Sequence, residues 1–151
     1  MSSSKCINCL NSPWVRNAES FVNDPNNPKE QVETVKFLLE HGHCGINNRT
    51  RIKDILNYLE SRGFKLSREQ FQNRILTELK RKGIVASLVY PGPQGGIFIP
   101  CNESEIQEVA KQVFDRVWQE LRNLEGIVEG THIKVLVSGL RNVIEFLKGY
   151  I

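Results

Sequence analysis

Two pairs of potential metal ligands lie in the first third of the chain. Cys6-Ile-Asn-Cys9 has the C-x-x-C spacing, and His41-Gly-His-Cys44 supplies an imidazole and a third thiol. Thiolate sulfur and imidazole nitrogen are the ligands of tetrahedral structural zinc. The sequence therefore offers Cys6, Cys9, His41 and Cys44 as one structural zinc site beside the first helix, with inert or mobile thiols as the alternative. Cys101 is left out of this set, and no other cofactor is expected.

Positive charge is concentrated in one stretch of the sequence. The 151 residues carry a net charge of only +3. Residues 49–82 hold ten Lys or Arg against four Asp or Glu, residues 83–101 hold no charged side chain, and the two remaining segments are mildly acidic. Such an asymmetry is typical of a face that binds a polyanion.

The basic stretch predicts a helix with one polar face. Ser67-Arg68-Glu69-Gln70 has the pattern of a capping box, and Gly83 follows Lys82 as a stop, so the helix should span 67–82. At helical spacing, one side carries Phe71, Ile75, Leu76 and Leu79 and is expected to be buried. The opposite face displays side chains that can all form hydrogen bonds: Gln70, Asn73, Arg74, Thr77, Lys80 and Arg81.

The chemistry of this polar face suits the major groove of duplex DNA. An α-helix fits that groove, where amide and guanidinium side chains meet base edges and basic side chains neutralise phosphates. We expect Arg74 to contact a base or a phosphate. Asn73 and Gln70 could pair with adenine, whereas Lys80 and Arg81, at the end of the helix, would lie on the backbone. A solvated helix surface is the alternative interpretation of the same residues.

Catalytic motifs are absent from the sequence. It contains no G-x-x-x-x-G-K-[ST], no H-E-x-x-H and no G-x-S-x-G. Glu103 and Glu105 are explained by a helix cap, and Cys44 could pair with His132 only if the fold brought them together. We therefore do not expect an enzyme.

The elements that position these residues fall into three segments. Residues 1–28, rich in Asn, Pro and Ser, predict an irregular N-terminal arm that carries the C-x-x-C. Residues 29–101 predict helices near 28–41, 50–62 and 67–82, followed by a hairpin whose strands, 84–90 and 97–99, flank Pro-Gly-Pro-Gln-Gly-Gly.

The third segment, residues 102–151, predicts two long amphipathic helices. A second capping-box pattern begins at Asn102, and apolar residues at i, i+3, i+4 and i+7 predict the last helix over 131–148, with a strand at 133–137 as the alternative. We expect this helical hairpin to pair with a second copy and form a homodimer. The alternative is that the two helices complete the core of a monomer.

The order helix, helix, capped basic helix and hairpin is that of a winged helix-turn-helix. The stretch from Arg49 to Cys101 resembles bacterial and phage winged-helix DNA-binding modules: SREQFQNRILTELKRKGI resembles the recognition helix and VASLVYPGPQGGIFIP the wing. The resemblance implies an α+β, mainly α fold and duplex DNA as the partner. The candidate DNA contacts are then Arg49, Arg51, Ser67, Arg68, Gln70, Asn73, Arg74, Thr77, Lys80, Arg81 and, at the wing tip, Gln94. Wings of related modules commonly carry Arg or Lys, so an uncharged tip favours docking by the helix.

We predict a sequence-specific duplex DNA-binding protein that regulates transcription as a dimer. The alternatives are a winged-helix module for protein-protein interaction, or an accessory subunit of a complex in replication, restriction or mobile-element processing. Residues 1–5 lack the apolar run of a secretory signal, and no apolar stretch is long enough to cross a bilayer. We therefore expect a cytoplasmic protein without a membrane partner, whose cysteines are reduced thiols or metal ligands rather than a disulfide framework.

Overall fold

The computed structural model describes Cys9, residues 11–88 and residues 95–150. The chain divides into two units, and the boundary along the sequence lies between Ile106 and Gln107. The first unit combines helices with a small antiparallel sheet, and the second is helical. The expected α+β, mainly α class is therefore confirmed, including the two long C-terminal helices.

The helices of the first unit follow the apolar spacing of the sequence. They are α1 (Pro13–Asn23), α2 (Lys29–Glu40), a 3-10 turn (Ile46–Asn48), α3 (Ile52–Ser61), α4 (Arg68–Phe71), a π-helical turn (Gln72–Leu76) and α5 (Thr77–Arg81). The last three segments are consecutive and are called here the basic helix (residues 68–81). Helix α2, helix α3 and the basic helix lie where the sequence predicts helices, with ends that differ by only a residue or two.

Helix α1 corrects the expectation of an irregular arm through residue 28. Pro13 occupies the first turn, where its missing N–H needs no partner. Val15, Ala18 and Phe21 recur every third residue and are buried in the same core as α2 and α3. The expectation was wrong for residues 13–23 because Asn, Ser and Glu dominate the exposed side and obscure this short apolar stripe.

The sheet consists of β1 (Ala86–Leu88) and β2 (Gly96–Phe98), paired antiparallel with Ala86 opposite Phe98. Residues 89–94 of the hairpin, including Gln94, lie outside the described residues. Thr50 extends the sheet, because its N–H and C=O exchange hydrogen bonds of 2.9 and 2.8 Å with Ile97. The segment before α3 is thereby fixed to the hairpin.

Gly96 is required by this junction. Its φ is +151°, and a Cβ at this position would lie 2.8 Å from both the Cβ of Arg49 and the carbonyl oxygen of Thr50. Only a residue without a side chain permits so close an approach of the two backbones.

The second unit contains most of α6 (Glu103–Ile127) and all of α7 (Ile133–Lys148). Residues 133–137 are helical, so the alternative of a strand there is excluded. Ion pairs join Lys148 to Asp115 at 2.5 Å and Arg141 to Glu125 at 2.9 Å, so the two helices run antiparallel. Among the described residues, none of the helices has both the length and the apolarity to span a membrane.

The second unit buries very little of its apolar surface. Within its described residues, Leu121, Val128 and Val137 are buried. The exposed large hydrophobic side chains of the described chain all belong to this unit: Val113, Val117, Leu124, Ile127, Ile133, Val135, Leu136, Leu140, Val143, Phe146, Leu147 and Tyr150. Large apolar side chains exposed in such number are uncommon on the surface of monomeric proteins.

Candidate nucleic-acid interface

The basic helix begins at a complete capping box. The Ser67 hydroxyl accepts a hydrogen bond from the Gln70 N–H at 3.1 Å, and the Gln70 side-chain oxygen accepts one from the Ser67 N–H at 2.9 Å. Two backbone amides at the start of the helix are thereby satisfied. Ser67 and Gln70 were candidate DNA contacts, and the structure uses their oxygens to fix the start of the helix.

We expect Ser67→Ala to lower the free energy of unfolding by about 1 kcal/mol, because one helix-end amide loses its partner. The measurement is the denaturant midpoint followed by circular dichroism. Ser20→Ala is the matched control, since Ser20 is an exposed serine inside α1. Equal midpoints for the two variants would show that the cap contributes nothing to stability.

The basic helix is buried on one side. Phe71, Ile75 and Leu79 are fully buried, and Leu76 is nearly so. Gln31 of α2, itself buried, donates from its side-chain nitrogen to the carbonyl oxygen of Arg74 at 3.3 Å and accepts from the Lys82 ammonium at 3.0 Å. A single side chain of α2 therefore holds both the middle and the end of the basic helix.

The outward face of the basic helix carries polar and basic side chains. Its exposed members include Arg68, Gln72, Asn73, Arg74, Lys80 and Arg81. Arg81 forms a 3.1 Å ion pair with Glu78 on the same face. Exposed ion pairs of this type are worth at most about 1 kcal/mol, so this one does not prevent Arg81 from reaching a phosphate.

The π-helical turn changes the composition of this face. In a regular helix, Gln72 would point toward the buried side, yet it is exposed. Thr77, expected on the polar face, is half-buried, and its hydroxyl donates to the Gln72 carbonyl at 2.8 Å across the turn. Gln72 was missed because no Gly, Pro or capping residue in QNRIL indicates a π-helical turn. Such turns are frequent at functional sites.

The two arginines before α3 differ in their surroundings. Arg51 is exposed. Arg49 is half-buried, its guanidinium donates to the Ile46 carbonyl at 2.5 Å, and its Cβ lies against Gly96. Arg49 is therefore part of the junction with the sheet, whereas the charge of Arg51 is accessible to a ligand.

The cysteines are arranged differently from the expected zinc ligands. Cys9 is joined to Cys101 by a disulfide, and Cys44 is disulfide-bonded as well. Cys6 lies outside the described residues. Within those residues, no group of three or more His, Cys, Asp or Glu is arranged to hold a metal ion. The expectation of thiols rather than disulfides is therefore not met at Cys9, Cys44 and Cys101.

His41, the fourth candidate ligand, belongs to an aromatic cluster. Its Nδ1 donates to the Phe37 carbonyl at 3.0 Å, and its ring lies 4.5 Å from that of Phe37. Tyr58 packs on the same cluster and donates to Glu33 at 3.2 Å. Burial raises the pKa of the Tyr58 hydroxyl, and the Glu33 charge adds to the increase.

The chain was compared with protein families, curated proteins and solved structures. No protein-family model matches the chain. No solved structure matches it. A protein of Methanocaldococcus jannaschii named "Putative control protein C.MjaVP" is 47% identical over 153 residues, which cover 97% of this chain and 94% of that protein.

Proposed function

Because this chain belongs to the family of C.MjaVP, we propose that it regulates transcription by binding duplex DNA. The name of that relative describes a control protein, and the identity extends over almost the full length of both chains. The proposal includes no catalytic step and places the protein in the cytoplasm, where it would meet DNA.

The observation that carries the proposal is the outward face of the basic helix. Asn73 and Arg74 are exposed near its middle, Arg68 is exposed near its start, and Lys80 and Arg81 are exposed near its end. Amide and guanidinium groups at the centre suit base edges, whereas charges at both ends suit the phosphates on either side of a groove. The opposite side is held by the core and by Gln31, so the face is presented on a rigid support.

The order of elements supports a winged-helix mode of docking. The β1–β2 hairpin follows the basic helix directly, and Thr50, just before α3, pairs with Ile97 of the hairpin. In helix-turn-helix proteins the second helix of the motif enters the major groove while the first crosses the backbone. Here the basic helix would be the second helix of the motif and would enter the groove, and α3 would be the first and would cross the backbone. This arrangement brings the exposed Arg51 toward the phosphates.

A homodimer through α6 and α7 completes the proposal. A pair of helices with so few buried side chains cannot form a stable core alone, because its apolar surface remains in water. Two copies would bury the exposed residues of α7 in a four-helix arrangement. A two-fold dimer presents two basic helices to half-sites about one DNA turn, roughly 34 Å, or a multiple of it apart, and therefore favours palindromic targets.

Salt dependence tests whether phosphates are contacted. We expect the logarithm of the association constant for duplex DNA to fall linearly with the logarithm of salt concentration, by about 0.9 per phosphate contact. Fluorescence anisotropy between about 50 and 200 mM salt measures the slope. No duplex binding at low salt, or an affinity independent of salt, would contradict the proposal and favour a module for protein-protein interaction.

A further inference from the structure

Thr77 holds the π-helical turn by two hydrogen bonds to one carbonyl. Its backbone N–H and its hydroxyl both donate to the main-chain oxygen of Gln72, the hydroxyl at 2.8 Å. Inside an α-helix, a threonine hydroxyl bonds to the carbonyl three or four residues earlier. The partner of Thr77 lies five residues earlier, so this hydroxyl bond belongs to the wider turn and stabilises it relative to a regular helix.

The turn determines where the Gln72 side chain lies. At about 100° per residue, a regular helix would place Gln72 between Leu79 and Leu76, and both of these are buried. The carboxamide would then enter the core, where a polar group without a partner costs free energy. In the structure Gln72 is exposed, together with Asn73 and Arg74. The wide turn therefore adds a carboxamide to the outward face.

Gln72 also lies above the start of the basic helix. Its N–H donates to the Arg68 carbonyl, so it stands one regular turn after Arg68, which is exposed as well. In helix-turn-helix proteins, the N-terminal residues of the helix in the major groove contact base edges. Gln72 belongs to this part of the basic helix.

The capping box determines which glutamine is available to a base. A carboxamide recognises adenine by two bonds: its oxygen accepts from the N6 amino group, and its nitrogen donates to N7. The side-chain oxygen of Gln70 accepts from the Ser67 N–H at 2.9 Å and is thereby fixed at the helix start. The bonds that Thr77 donates to Gln72 end on its main-chain carbonyl, and the exposed carboxamide remains accessible to a ligand.

We propose that Gln72 reads adenine in an A·T base pair of the DNA target, and that Thr77 is the positioning residue that keeps Gln72 on the outward face. The inference rests on the proposed binding of duplex DNA by the basic helix. It assigns adenine recognition to Gln72 instead of Gln70. Thr77, a candidate DNA contact in the sequence, acts here through Gln72.

Binding of the full chain to a panel of duplexes tests the inference. A target is selected from random-sequence duplexes, and each of its base pairs is then changed in turn. Gln72→Ala should bind the selected duplex about 10-fold more weakly than the parent and lose its preference at one A·T pair alone. Its salt slope should equal that of the parent, because no charge changes. Gln107→Ala, which removes an exposed glutamine outside the basic helix, is the matched control and should keep the binding profile of the parent.

Gln72→Glu tests the same position by a change of preference, which a misfolded variant would not produce. A carboxylate accepts a hydrogen bond from the amino group of cytosine. The favoured base at that position should therefore change from adenine to cytosine, while the preferences at the other base pairs stay as in the parent.

Substitutions at Thr77 test the positioning role. Thr77→Val keeps the branched shape and removes the hydroxyl, so it should lose the preference at the same base pair as Gln72→Ala. Adding Gln72→Ala to Thr77→Val should lower the affinity no further, because both changes remove one contact. Thr77→Ser retains the hydroxyl and should retain the profile of the parent. A Thr77→Val variant with the base preferences of the parent would overturn the positioning role.

The outcomes separate this inference from the proposed function. If the parent selects a sequence and Gln72→Ala has the same affinity and base preferences, Gln72 reads no base and the inference is wrong, while the proposal of DNA binding stands. An equal loss of affinity for all duplexes would also contradict the inference, because it indicates damage to the helix rather than a lost base contact. A parent that binds no duplex would overturn the proposed function itself, and this inference with it.

Discussion

Replacing Asn73 and Arg74 together with alanine is expected to weaken binding to a selected duplex by about 100-fold. Each side chain is exposed near the middle of the basic helix, where a base contact is worth about 1–3 kcal/mol. The target would first be selected from random-sequence duplexes, and the affinity of parent and variant then measured by anisotropy. The affinity for nonspecific duplexes should fall by a smaller factor, because phosphate contacts by Lys80 and Arg81 remain.

The control for this experiment is Arg16→Ala. Arg16 is an exposed arginine on α1, so the variant also loses a positive charge but leaves the basic helix intact. Its affinity should stay within about twofold of the parent, as expected for a charge outside the contact face.

The slope of log affinity against log salt concentration distinguishes the two possible roles of Arg74. In the double variant, a slope shallower by about 1 indicates a lost phosphate contact, and an unchanged slope indicates a lost base contact. Equal binding by parent and double variant would exclude this face as the reading surface.

Leu136→Asp is expected to raise the dimer dissociation constant by about 100-fold or more. Leu136 is 73% exposed in the single chain, so the substitution should leave the fold of one copy intact. In a two-fold dimer the change occurs twice, and each new carboxylate would be buried without a partner, at a cost of several kcal/mol. Sedimentation velocity over a range of concentrations measures the dissociation constant.

Asn142→Asp separates the effect of burial from that of charge. Asn142 is exposed on the same helix, α7, about 120° around the helix from Leu136, so this variant introduces the same charge away from that side chain. Its dissociation constant should match that of the parent. A parent that remains monomeric at every concentration, or a Leu136→Asp variant that dimerises equally well, would contradict the homodimer. Circular dichroism of both variants confirms that the helices are retained.

Local patterns predicted most helices, because their determinants lie close together in the sequence. The pattern from Ser67 to Gln70 predicted the capping box that the structure contains. Gly83, predicted as the stop, follows the basic helix with φ +72°. Helix α1 was missed, because the stripe formed by Val15, Ala18 and Phe21 is short and becomes decisive only when the core of α2 and α3 covers it. Burial against α2 and α3 therefore determines that this segment is helical, although its composition suggests a loop.

The candidate site was predictable in outline but not in its details. Arg74 and Asn73 are exposed as expected, because helical spacing determines which side chains face the core. The exposure of Gln72 and the engagement of Thr77 arise from the π-helical turn, a backbone irregularity. The meeting of Cys9 and Cys101, 92 residues apart, depends on the path of the whole first unit, which no local spacing encodes.

The attachment of the basic helix through Gln31 has an evolutionary consequence. Gln31 holds the basic helix through the main-chain carbonyl of Arg74 and the ammonium of Lys82. Neither contact involves the outward side chains of Gln72, Asn73 or Arg74. Those three positions are therefore free to vary without loosening the scaffold. In a DNA-reading protein, such a division would allow descendants to acquire new target sequences by exchanging a few surface residues.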